Sequence, residues 1–78
     1  MKSLQKTRKR LELTQQEIAK KLFLSQRTIS SWEKGTRTPP VEQLPKLAQV
    51  LNCSIEELVY AIIETKNQKE KNPDVKTI

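Results

Sequence analysis

Two helix-start signals stand only eleven residues apart, at Thr14 and Ser25. Glu17 follows Thr14 at the spacing where a threonine hydroxyl and a glutamate carboxylate satisfy each other's free backbone N–H groups. Ser25 is a good N-cap residue, followed by polar Gln26 and Arg27 and then Ile29. This predicts one helix over Gln15–Leu22 and a second over Gln26–Lys34, with only Phe23, Leu24 and Ser25 between them. Two helices this short, joined by so tight a turn, cannot lie antiparallel and must cross steeply.

The faces of the two helices fit that crossing. At about 100° per residue, Ile18 and Leu22 share one side of the first helix, with Ala19 beside them. Ile29 and Trp32 share one side of the second. Its far side carries Arg27, Ser30, Ser31 and Lys34, and Gln26 projects from its N-terminus. That face offers donors, small hydroxyls and two cations, with no carboxylate and no large apolar residue. An isolated solvated helix can look the same, but such a face also suits a DNA major groove, where base edges and phosphates both need partners.

Residues 1–40 carry ten Lys/Arg against three Glu, a net +7, and residues 41–78 carry five Lys against six Asp/Glu, a net −1. The basic half is the half that holds the crossed helices, as expected for a polyanionic partner. Histidine is absent and Cys53 is the sole cysteine. No metal site or nucleophile–base pair can be drawn from these residues, so neither a metal, a cofactor nor an enzymatic activity is expected. A lone cysteine forms no intrachain disulfide, and a packing role is expected for it. The longest apolar run, Leu58 to Ile63, is too short to span a membrane. With no signal-peptide pattern either, a cytoplasmic protein is expected.

The other segments extend the helical pattern. A first helix is expected from Lys2 to about Arg10, with Arg8 between Leu4 and Leu11 on its apolar stripe. A charge there needs a partner or a route to water. Glu33 is the matching oddity, close to Ile29 on the inner side of the second crossed helix, so Arg8 and Glu33 are either partners or two independent surface charges. Gly35 reads as the residue past that helix, where positive φ costs least. A loop runs to Pro40, and Val41–Leu44 is expected as a tight or irregular turn. A fourth helix follows from near Pro45 to near Leu51. Asn52 suits a left-handed helix end, and Ser54 with Glu57 repeats the capping spacing. A fifth helix is expected from Ile55 to roughly Lys66, burying Ile55, Leu58, Val59 and Ile62. Tyr60 and Ile63 fall off that stripe and form a candidate dimer face. Residues 1–66 make one domain, and 67–78 are expected as a polar, mobile tail.

The segments LTQQEIA, SQRTISSWEKG and LAQVLNCSIEEL carry a resemblance to the phage repressor and Cro family of helix-turn-helix proteins, the XRE-like regulators. That family favours apolar residues where this chain has Ile18, Leu22, Leu24, Ile29 and Trp32, and a small residue where it has Ala19. It favours glycine in the turn, where this chain has Phe23. The resemblance covers about Leu4 to Leu58. It implies an all-α, five-helix, lambda-repressor-like domain around a central helix-turn-helix, and an ion pair joining the helices at Arg8 and Glu33.

The function expected from residues and resemblance together is a sequence-specific regulator that binds a double-stranded DNA operator as a homodimer and represses transcription. Base contacts are expected from Gln26, to adenine, and Arg27, to guanine, with Ser30 and Ser31 reaching nearby edges or phosphate. Backbone contacts are expected from Gln15, where the family touches a phosphate, and from Thr28, Lys34, Thr36, Arg37 and Thr38. Because the chain ends soon after this unit, a stand-alone Cro-type or controller-type protein is expected. The rival is an antitoxin-like module of the same fold whose main partner is another protein. Tyr60 and Ile63 are neutral between a second copy and a foreign partner.

Overall fold

The computed structural model describes residues 3–69. These form α1 (Leu4–Arg10), α2 (Gln15–Leu22), α3 (Gln26–Lys34), a 3-10 turn (Val41–Gln43), α4 (Leu44–Val50) and α5 (Ile55–Lys69). No strand occurs among the described residues, and the protein is all-α. The helix starts are chemical. Thr14 Oγ1 accepts from the Glu17 N–H (3.0 Å), and Glu17 Oε1 accepts from the Thr14 N–H (2.8 Å). Ser54 and Glu57 repeat this box at α5, and Ser25 caps α3 through the Thr28 N–H. Hydrogen bonds from the Thr14 backbone and hydroxyl hold the Glu17 carboxyl below its ordinary pKa. Ser3, rather than Lys2, sets the start of α1, because its hydroxyl accepts from the Lys6 N–H.

The first four helices end in one way. Glu12, Phe23, Gly35 and Asn52 all take positive φ, between 54° and 80°. The N–H of the next residue then closes on a carbonyl five positions back, as Leu24 does on Ala19 (2.8 Å) and Cys53 on Ala48 (3.0 Å). Only Gly35 adopts this without a side-chain penalty. Phe23 therefore does take up the left-handed geometry that glycine would favour, and its ring is 89% exposed. A ring buried between α2 and α3 would force them apart, so it points into solvent.

α2 packs chiefly on α3, and α5 lies against α1, α3 and α4. The core comprises Leu4, Ile18, Ala19, Leu22, Ile29, Trp32, Leu47, Ala48, Leu51, Leu58 and Ala61, with Cys53 packed at its edge. Burial and the nearby Glu57 push the Cys53 thiol pKa up, away from reactivity. α5 is rotated relative to the sequence expectation. Leu58 is fully buried and Ile62 is partly buried, but Ile55 and Val59 are 45% and 38% exposed. Ala61 and Thr65 take the inner side instead. The Thr65 hydroxyl accepts from the Leu4 N–H (2.9 Å) and donates to the Ala61 carbonyl (2.8 Å), tying α5 to the first turn of α1. Small and hydroxyl residues let the helices approach closely enough for that bond. α5 also continues to Lys69, beyond the expected Lys66. The expected mobile tail otherwise lies outside the described residues.

Candidate nucleic-acid interface

The turn at 23–25 presents α3 across α2 with its polar side outward. Gln26, Arg27 and Lys34 are exposed, and Ser30, Ser31 and Thr28 are half-buried. Arg27 lines an open hollow of about 310 Å³ together with Ser25, Thr28, Ser31 and Arg37. Two guanidinium groups and three hydroxyls thus share one concavity without a carboxylate. The loop brings Arg37 there because it folds back onto the end of α3. The Thr36 and Arg37 N–H groups both bond the Ser31 carbonyl, at 3.1 and 3.3 Å, and the Thr36 hydroxyl also donates to it. Lys34, Thr36 and Thr38 are exposed but do not line this hollow. Several hydroxyls have internal bonds already. Ser31 Oγ donates to the Thr28 carbonyl (2.7 Å), and Thr28 Oγ1 lies 3.0 Å from Ser25 Oγ. At the helix start Arg27 and Gln26 are both exposed, and Gln26 keeps its carbonyl and one N–H beyond its bond to Gln15.

Beneath this face lies a charged network. Arg8 Nε and Nη2 donate to Glu33 Oε2 (2.5 Å) and Oε1 (3.1 Å), and Arg8 Nη1 donates to the Leu13 carbonyl (2.8 Å). The Arg8 and Glu33 side chains are only 10% and 6% exposed. They border a void of about 10 Å³ walled by Ile18, Ile29 and Trp32, no larger than the space one water needs. Both carboxylate oxygens of Glu33 and three nitrogens of Arg8 have protein partners in this network. Gln15 Nε2 also donates to Glu33 Oε1 (2.9 Å), and Gln15 Oε1 faces Gln26 Nε2 at 3.4 Å. Sequence reasoning missed that link. Helix periodicity places Gln15 at the start of α2 but carries no signal that its amide reaches a carboxylate on α3. The Leu13 carbonyl was equally invisible, since backbone acceptors have no sequence signature.

On α5, Ile55, Val59 and Ile63 form an exposed line, with Tyr60 exposed beside it. Among the described residues no group of three His, Cys, Asp or Glu is placed to hold a metal. No helix there is long and apolar enough to cross a membrane.

A family model described as helix-turn-helix matches residues 4–58. The chain belongs to this XRE-like helix-turn-helix family, which is one of regulators rather than enzymes. It is similar to the HTH-type transcriptional activator BcrR of Enterococcus faecalis, at 33% identity over 83% of this chain and 34% of that protein. It is 43% identical to the HTH-type transcriptional regulator DicA of Escherichia coli, over 60% of this chain and 35% of DicA. An uncharacterised HTH-type transcriptional regulator of Sinorhizobium fredii, y4dJ, is 45% identical over 68% of this chain and 69% of that protein. The chain thus spans about a third of the length of the first two relatives. No solved structure matches significantly.

Proposed function

We propose that this protein is a cytoplasmic, sequence-specific DNA-binding repressor that acts as a homodimer. The observation that carries this reading is the outward face of α3, where exposed Gln26 and Arg27 stand beside the carboxylate-free hollow shared with Arg37. Gln26 matches the N6/N7 edge of adenine, and Arg27 the O6/N7 edge of guanine. Ser30 and Ser31 approach neighbouring edges. Arg37, Lys34, Thr36, Thr38, Thr28 and Gln15 hold the flanking phosphates. Affinity then depends on counterion release and falls steeply with salt.

Pairing is proposed through α5, where the line of Ile55, Val59 and Ile63 with Tyr60 supplies an apolar face off the core. Two copies set two α3 helices about 34 Å apart, on successive major-groove turns. BcrR is named an activator. The sign of regulation depends on where an operator lies relative to a promoter, and repression requires occupancy alone. The same apolar line also suits a foreign protein, as in the antitoxin-like reading.

Selection from a random duplex library, followed by sedimentation of the selected complex, tests this function. A two-fold symmetric site bound by two copies is the expected result. Failure to enrich any sequence refutes DNA reading. A native-lysate complex holding one copy and a different protein favours the antitoxin-like reading.

A further inference from the structure

We infer that Glu33 is a positioning residue for base recognition, selecting adenine over guanine at the base read by Gln26. This rests on the proposed reading of Gln26 as a base contact. The steps are chemical. A carboxylate accepts hydrogen bonds and never donates. Glu33 is held on Arg8 through both oxygens, and its Oε1 also takes the bond from Gln15 Nε2 (2.9 Å). Gln15 is thereby fixed with its NH₂ inward and its carbonyl toward α3. That carbonyl can only accept, so Gln26 turns its own NH₂ to it, at 3.4 Å.

Gln26 then keeps one N–H and its carbonyl oxygen for the groove. One donor and one acceptor complement N7 and N6–H₂ of adenine. Were Gln15 reversed, its NH₂ would engage the Gln26 carbonyl and leave two N–H donors outward, the complement of guanine N7 and O6. Rotating either amide alone sets two donors or two acceptors against each other. The buried charge on Glu33 thus sets the direction of a relay that ends at the DNA surface, and the Arg8–Glu33 pair does more than join helices.

Glu33→Gln keeps the size and an acceptor for Arg8 but can place an NH₂ against Gln15, which favours the reversed relay. Gln15→Ala removes the relay while leaving Arg8–Glu33 in place. Both variants, with the parent and Gln26→Ala, are titrated against the duplex selected from a random library and its single-base variants, with folding checked by thermal melting. The parent is expected to favour adenine over guanine at one position by roughly tenfold or more. Glu33→Gln should bring that ratio to parity or invert it, Gln15→Ala should bring it to parity, and preferences at other positions should persist. A ratio cancels any phosphate contact that Gln15 also makes. If Glu33→Gln fails to fold, Gln15→Ala alone decides. Loss of the preference in Gln26→Ala but its retention in Gln15→Ala overturns the relay alone. Unchanged preferences at every position in Gln26→Ala overturn both the relay and the reading of Gln26. A uniform weakening on all duplexes in Gln15→Ala leaves Glu33 a structural group only.

Discussion

Removing the Glu33 carboxylate should destabilise the domain more than any surface change. In Glu33→Ala the Arg8 guanidinium loses both bonds to the carboxylate and retains the Leu13 carbonyl at 2.8 Å. The Gln15 amide loses its inner partner as well. Breaking a buried pair from one side costs roughly 3–5 kcal/mol, because the remaining charge is uncompensated. Arg8 is one-tenth exposed, and one of its donors remains satisfied, which points to the lower end, about 3 kcal/mol. For a domain of this size that corresponds to a Tm lower by about 12–24 °C. Circular dichroism melting of the parent, Glu33→Ala, Arg8→Ala and the double variant gives the size and the coupling. The double variant should be less destabilised than the sum of the single ones, since it leaves neither charge alone. A Glu33→Ala melt superimposable on the parent's, or strict additivity, would refute a buried, coupled pair.

Phe23→Gly should be stabilising by about 0.5–1 kcal/mol, because the left-handed geometry then comes without a Cβ penalty and the exposed ring gives up no packing; a clear loss in urea unfolding would show that the ring supports the fold. Glu17 titrates below its ordinary pKa when folded, so its contribution is complete above the ordinary carboxylate range and is lost as pH falls through and below it. The stability gap between parent and Glu17→Gln should therefore be present at neutral pH and close in acid, and a gap independent of pH in urea titrations would contradict this. Tyr60→Glu combined with Ile63→Glu should give a folded monomer with weakened operator binding, whereas a dimer persisting in sedimentation would move the interface off this part of α5.

The helix ends were the most legible part of the chain, because capping is local. Thr14 with Glu17, Ser54 with Glu57, Ser25, Gly35 and Asn52 each act within a few residues, and their chemistry can be read without knowing the fold. The Arg8–Glu33 juxtaposition was legible for another reason: a charge on an apolar stripe requires a partner or a route to water, and the family resemblance implied which partner. The face of α5 was not. Its strongest hydrophobic residues, Ile55 and Val59, pointed to one stripe, while packing selected a neighbouring one containing Ala61 and Thr65. A small residue and a threonine carry little hydrophobic signal, and their value lies in the close approach and the Leu4–Thr65 bond, which exist only in the assembled fold. The convergence of Arg37 on Arg27 depends likewise on the loop folding back to the Ser31 carbonyl, and the Gln15–Glu33 contact on how α2 crosses α3.

The central claim is that the outward start of α3 reads base sequence while the flanking cations grip the backbone. Its most direct test is the titration of Arg27→Ala and Arg37→Ala against the selected duplex and its single-base variants at several salt concentrations. Arg27→Ala should cost roughly 1–3 kcal/mol on the selected site and flatten preference at one base position, as for a lost bidentate guanine contact. Arg37→Ala should weaken all duplexes alike and reduce the slope of log affinity against log salt by about one unit, as for a lost phosphate contact. If Arg27→Ala instead shifts every duplex equally and keeps all base preferences, Arg27 holds phosphate in the hollow it shares with Arg37, and the reading face assigned to α3 is wrong.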